Sequence, residues 1–199
     1  MHFSYSDDEL AALAAKDKKL GRAIERIGRI DREVQPNLFA ALVESIIAQQ
    51  ISGKAATTIK NRLTELCGVI TPEAIAKFND AEIQQCGMSH RKASYVKAAA
   101  TAILSGQLDL DSLALLDDEA AISELIKLPG VGIWTAEMLL IFSLQRRNVF
   151  SFGDLAIKRG LCKLHGHKEI TRELFEKYRK RYSPYGSIAS IYLWHISGE

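Results

Sequence analysis

The sequence predicts an all-α fold. Helix-start signals recur along the whole chain, apolar residues repeat at intervals of three and four, and no sustained two-residue alternation bounded by turns occurs. Together these imply about ten or more short helices joined by short turns. A chain of 199 residues that is 47% hydrophobic has room for one sizeable core or two small ones.

The elements follow in order. Ser6 with Glu9 forms a capping box ahead of Leu10 and Leu13. Asp17 can cap a helix carrying Leu20, Ala23, Ile24 and Ile27. Pro36-Asn37 opens a strongly periodic segment in which Leu38, Phe39, Leu42, Val43, Ile46 and Ile47 make one buried stripe. Ser52-Gly53 restarts the chain into a helix over Lys54–Leu66, and Thr71-Pro72 places Pro at a first helical position. Asn79 with Glu82 is a second capping box; Ser89 starts a longer helix closed by Gly106. Asp111 and Asp118 are expected to cap two short helices, the second ending at Lys127. Helices over Trp134–Leu144, Asp154–Leu164, Glu169–Arg181 and Ser187–His195 complete the chain.

Charge is distributed unevenly. The formal net charge is +2, but Gln145–Tyr182 holds eleven Lys/Arg against four Asp/Glu. Such a segment suits a polyanion or is simply a solvated helix face. Cys67, Cys86 and Cys162 have no zinc or iron–sulfur spacing and read as structural thiols in a reducing compartment. His165-Gly166-His167 lacks a third ligand at useful spacing and reads as a loop. No eighteen-residue apolar run predicts a membrane span. The polar, acidic N-terminus does not read as a secretion signal.

The most informative stretch runs from Leu128 to Asp154. In Pro129-Gly130-Val131-Gly132 two glycines allow positive φ and close backbone approach, between two helices. The second helix presents free N–H groups at its start, an anion site suited to a phosphodiester. The carbonyls across the turn, those of Ile126, Leu128 and Val131, can hold a structural Na⁺ or K⁺. A purely structural αα-turn explains the four residues equally well. The fuller string L-P-G-V-G-x-x-T-A resembles the helix-hairpin-helix of DNA-repair proteins. Asp154, twenty-two residues past Gly132, stands where one superfamily of them carries an Asp. Ser45–Ser52 looks like that superfamily's minor-groove probing loop, Gly87–Ala93 like another of its signatures, and Ala189–His195 like its last helix. Residues 36–199 thus resemble the helix-hairpin-helix DNA glycosylases, in particular the alkylpurine branch of DNA-3-methyladenine glycosylase II.

The resemblance implies two helical lobes with the active site in the cleft between them. One lobe would span 36–147, with the hairpin at about 120–144, and the other 1–35 plus 148–199. It implies base-excision repair: hydrolysis of the N-glycosidic bond of 3-methyladenine or 7-methylguanine, flipped out of duplex DNA, leaving an abasic site. Trp134 stands where the glycosylase/lyase branch carries a Lys, which points to a hydrolase without lyase activity. No four-cysteine cluster matches that branch's iron–sulfur site, and no catalytic cofactor is expected. Gly153 is the only residue of the usual Gly/Pro-rich loop before Asp154. Met138 replaces a pocket aromatic, His195 follows Trp194 where a Tyr stands in a bacterial relative, and polar Gln50 takes the wedge position beside Ile51. The β-rich N-terminal extension of some relatives has no counterpart.

The chemistry assigns roles. Cleavage builds positive charge on the sugar, which a carboxylate can stabilise while it orients or deprotonates water. Asp154 is the candidate, although an Asp before Leu155-Ala156-Ile157 is also a good N-cap. Cationic methylpurines are good leaving groups and stack on π faces. Trp134, Met138, Trp194 and His195 are the candidate pocket walls, with core packing the alternative for each Trp. Gln49, Gln50 and Ile51 would enter the minor groove, or else form a polar helix end. Gly130, Gly132, Thr135, Lys158 and Arg159, with Arg146 or Arg147, would hold phosphates. The partner would be double-stranded DNA bearing alkylated bases, bound by a monomer in bacterial cytoplasm or a eukaryotic nucleus. Alternatives are a glycosylase for uracil or other deaminated or oxidised bases, and a non-catalytic helix-hairpin-helix module.

Overall fold

The computed structural model describes residues 1–199, and its regular structure is helical: α1 (Asp7–Lys16), α2 (Lys18–Ile27), α3 (Leu38–Ala48), α4 (Gly53–Cys67), α5 (Pro72–Ala76), α6 (Asp80–Gln85), α7 (His90–Leu104), α8 (Leu110–Leu115), α9 (Asp118–Leu125), α10 (Ile133–Phe142), α11 (Leu155–His165), α12 (Arg172–Tyr182) and α13 (Gly186–Gly198). A lone β-bridge joins His2 and Glu33. The all-α expectation holds, and no helix is long and apolar enough to cross a membrane.

The caps explain where the helices begin. Ser6 and Glu9 form the expected reciprocal box, as do Asn79 and Glu82. Asp17, Asn37, Ser52, Thr71 and Ser89 each accept from backbone N–H groups of the helix that follows. Two caps precede the residues expected from sequence: Asp109 rather than Asp111 starts α8, and Asp117 rather than Asp118 starts α9. Asp111 and Asp118 lie within the first turns, where a negative charge still favours the helix dipole. Helix α12 starts at Arg172 rather than at the expected Glu169, because the Thr171 hydroxyl accepts the Leu174 N–H and caps it.

The chain divides into two compact units, one of Met1–Val34 with Leu140–Glu199 and one of Gln35–Leu139. The second boundary falls inside α10, earlier than the expected 147/148. Phe142 at the end of α10 stacks on Trp194, and the Ser187 hydroxyl donates to the Arg146 carbonyl at 2.5 Å. These contacts draw 140–147 into the unit that contains α13.

In the unit of Gln35–Leu139, α3 supplies the buried centre. Leu38, Phe39, Leu42, Val43, Ile46 and Ile47 are all buried, as the stripe requires, and α3 packs on α4 and α7. The α7 side chain Lys97 reaches the end of α5, donating to the Ile75 and Ala76 carbonyls at 3.3 and 2.8 Å. The hairpin between α9 and α10 completes this unit.

The other unit is built on α13, where Ile188, Ala189, Ile191, Tyr192, Leu193 and Ile196 are buried. Helix α11 packs directly on α13; Gly160 has no side chain because a Cβ there would lie 2.3 Å from the Leu193 carbonyl oxygen. A polar knot joins α2, α11 and α12. Asp17 accepts from Arg181 at 3.0 Å and from the Tyr182 hydroxyl at 3.1 Å, with His165 Nε2 at 3.4 Å. Burial alone would raise the Asp17 pKa, but the Leu20 N–H, Arg181, His165 and Tyr182 outweigh it and hold it below the usual value. His167 bonds the Tyr178 hydroxyl at 2.7 Å, so both histidines of the His-Gly-His segment serve this packing.

A pH dependence follows. Burial pushes the His165 pKa down to about 4, with Asp17 opposing and Lys19, Arg181 and His167 reinforcing. The unfolded chain takes up this proton near pH 6.5, whereas the folded one takes it up only near pH 4. Stability is therefore expected to be full above pH 6.5 and to fall on acidification to pH 4, by roughly 2–3 kcal/mol. Urea midpoints across that range should show the loss in wild type and a flattened profile in His165→Gln. Equal slopes in both proteins would sink this account.

Candidate nucleic-acid interface and active-site residues

The hairpin is fixed by close contacts within its own unit. Gly130 has φ +82, and a Cβ on it would lie 2.1 Å from the Tyr95 ring. Only glycine satisfies both the conformation and the clearance. The Val131 N–H donates to the Leu128 carbonyl at 3.1 Å, and the Ala136 N–H to Gly132 at 3.0 Å, which starts α10. Trp134, in the first turn of α10, is 46% exposed; Met138, one turn further on, is buried. Thr135 is buried as well: the helical step from Trp134 turns its side chain into the interior, which leaves its backbone N–H rather than its hydroxyl for the expected phosphate role.

The probing loop follows α3. Gln49 does not point outward: its side-chain amide donates to the Gly130 carbonyl at 2.8 Å and ties loop to hairpin. The expected base-reading role of Gln49 is therefore corrected to a positioning one. Lys92 donates to the Ile47 and Gln49 carbonyls at 2.8 and 2.6 Å, closing the C-terminus of α3. Burial lowers the Lys92 pKa. This contact gives the Gly87–Ala93 stretch a physical role, since Ser89 caps α7 and thereby aims Lys92. Gln50 and Ile51 are left exposed, and Gln50 is held at φ 57, a left-handed conformation that costs a non-glycine residue about 1 kcal/mol.

In the other unit, Asp154 is 6% exposed and caps α11. Both cap bonds, from Ala156 at 2.8 Å and Ile157 at 2.9 Å, end on the same oxygen, Oδ1. The preceding Phe152 ring is flanked by Lys158 Nζ at 4.3 Å and Arg172 Cζ at 4.6 Å, and meets Phe175 edge-on at 5.2 Å. These contacts anchor the turn that delivers Asp154.

Several expected phosphate ligands have internal partners. Lys158 lies over Phe152, and Arg159 donates to the Ser197 hydroxyl at 3.2 Å. Arg147 donates to the Ser4 carbonyl and lies 3.6 Å from Glu9. Arg172, Lys177, Arg179 and Arg181 pair with Glu176, Glu173, Glu176 and Asp17. Part of the basic segment is thus paired, since α12 sets Glu173 and Glu176 one turn from Lys177, Arg172 and Arg179, while its excess of cations over acids remains.

Trp194 stacks on Phe142, with centroids 5.4 Å apart and planes at 30°. His195 is exposed and turned to Glu199 at 3.6 Å, so it does not extend the Trp194 wall. Successive residues on a helix point roughly 100° apart, and that rotation separates the two. Phe142 and Arg32, whose guanidinium lies over both rings, were not among the candidates; they are remote from α13 in sequence and carry no local signal.

The hairpin, the loop locked to it and the capped aspartate define a helix-hairpin-helix protein. The chain belongs to the HhH-GPD superfamily of base excision DNA repair proteins, whose family model matches residues 43–184. It is 32% identical over 193 residues to DNA-3-methyladenine glycosylase 1 of Schizosaccharomyces pombe, covering 93% of this chain and 85% of that one. The crystal structure of a DNA-3-methyladenine glycosidase from Bacillus halodurans superposes with TM-score 0.89 at 35% identity, over 100% of this chain and 93% of the other. The S. pombe 3-methyladenine DNA glycosylase Mag1 in complex with abasic DNA gives 0.82 at 31% identity, over 94% and 95%.

Proposed function

We propose that this chain is a monofunctional DNA glycosylase that releases alkylated purines, 3-methyladenine and 7-methylguanine, from duplex DNA and leaves an abasic site. The observation that carries the reading is Asp154: a carboxylate buried to 6% exposure and pinned through Oδ1 at a helix N-terminus. Burial strengthens its field on a nearby cation. The base departs with the electron pair of its bond to C1′. A cationic methylpurine leaves neutral, so no strong general acid is needed. Asp154 stabilises the positive charge on the sugar, and water supplies the oxygen that bonds to C1′, its proton passing to the carboxylate. Trp134, where a lyase would carry its amine, provides a π face, beside which the flexible Met138 side chain tolerates bases of different shape; Trp194 provides a second π face. Gly130, Gly132 and the start of α10 would hold a phosphate. The carbonyls of Ile126, Leu128 and Val131 would hold Na⁺ or K⁺ there; a carbonyl has two lone pairs, so the Val131 N–H leaves Leu128 able to accept a cation. The protein would work as a monomer, without a catalytic cofactor.

The test is base release from duplexes carrying 3-methyladenine, 7-methylguanine or uracil, with strand integrity read on the same samples. Release of methylpurines with strands intact supports the proposal. Release of uracil alone selects the deaminated-base reading, and tight binding to abasic DNA without any release selects a non-catalytic module.

Gln50 supplies a further check. Gln50→Gly should relieve the left-handed strain and raise Tm by about 1–3 °C. The same change should weaken binding to an abasic duplex roughly tenfold or more, because the exposed side chain that plugs the emptied stack is gone. Unchanged affinity by fluorescence anisotropy would remove Gln50 from the interface.

A further inference from the structure

Phe142 and Trp194 offer paired π faces, and a cation is already seated on them. The Arg32 guanidinium lies 5.0 Å from the Phe142 centroid and 5.9 Å from the Trp194 centroid. Both rings are partly exposed, Arg32 is exposed, and all three belong to the same unit. The ring quadrupole that attracts this guanidinium is the one that would attract a second cation, and the guanidinium charge repels that second cation.

We propose that Arg32 is a specificity-determining residue, a resident cation on the Phe142–Trp194 stack that disfavours cationic purines relative to neutral ones. The proposal rests on the reading of Trp194 as a wall for the excised base. Two placements of the base give the same sign. A base on the Arg32 side must displace the guanidinium, and a base on the opposite side meets rings already polarised by it. A neutral purine is spared the charge repulsion in both cases. Arg32 therefore sets the balance between methylated cations and neutral lesions such as hypoxanthine.

The experiment compares single-turnover release of 7-methylguanine and hypoxanthine by wild type, Arg32→Gln and Arg32→Lys. Arg32→Gln should raise the cation-to-neutral ratio by about three- to tenfold, while Arg32→Lys, which keeps the charge, should stay within about twofold of wild type. The fold should survive, because the Arg32 carbonyl accepts the Phe3 N–H at 2.7 Å whatever the side chain. A second readout needs no catalysis. The chain has two tryptophans, so in a Trp134→Phe background the fluorescence reports Trp194 alone. Quenching by 7-methylguanosine relative to guanosine should rise with Arg32→Gln by a similar factor. Equal changes for cationic and neutral ligands overturn the proposal and leave the glycosylase reading intact. Release of neither base by wild type, with no Trp194 quenching, overturns both.

Discussion

Asp154→Asn is expected to abolish most base release while leaving the protein folded. The cap of α11 rests on Oδ1, which takes both backbone bonds, and an asparagine carbonyl can take the same place. Asn caps nearly as well as Asp, so Tm should stay within about two degrees. The charge is lost entirely. At 6% exposure that charge is poorly screened, and its removal should slow excision by roughly 10²-fold or more. Asp154→Ala provides the contrast, losing the cap as well, at about 1 kcal/mol. The measurement is 3-methyladenine release beside thermal melts of all three proteins. Wild-type release by the asparagine variant would make Asp154 a cap and nothing more.

Gly160→Ala should give the largest change in stability. A Cβ at Gly160 would lie 2.3 Å from the Leu193 carbonyl oxygen and 2.9 Å from its carbon. These are backbone atoms of α13, whose residues are buried through most of its length, so no side chain can swing aside. The two helices must separate, at a cost of about 3 kcal/mol, and Tm should fall by roughly 6–12 °C. Asp154 caps helix α11, so the displacement should also reduce excision. Gly198→Ala on α13 is the control: nothing lies within 4 Å of its added methyl, and Tm should move by no more than about a degree or two. A melt of Gly160→Ala matching wild type would show that the packing gives way easily.

Features that depend on neighbours in the chain were legible in the sequence. Ser6 and Glu9, Asn79 and Glu82, and Asp154 with Ile157 are partners three residues apart, and such a bond forms wherever the helix forms. The α3 stripe was equally plain, because its period depends on helix geometry alone. The hairpin glycines announced a turn needing positive φ, and Gly130 has it.

Partners distant in sequence were not legible. The Gln49 amide meets a carbonyl eighty-one residues away. Lys158 and Arg159, read as phosphate ligands, rest against Phe152 and Ser197, and the Ser197 contact lies thirty-eight residues away in sequence. Trp194 and His195 looked like one wall, and helical rotation parted them, one to Phe142 and the other to Glu199. The sequence by itself determined the helices, most of their caps, the hairpin and the aspartate, because each is written within a turn or two of chain. Only the tertiary structure decided which exposed side chains remain for a ligand. A long polar side chain takes whatever partner packing brings to it, and here packing brought Gly130 to Gln49 and Arg32 to the Phe142–Trp194 stack.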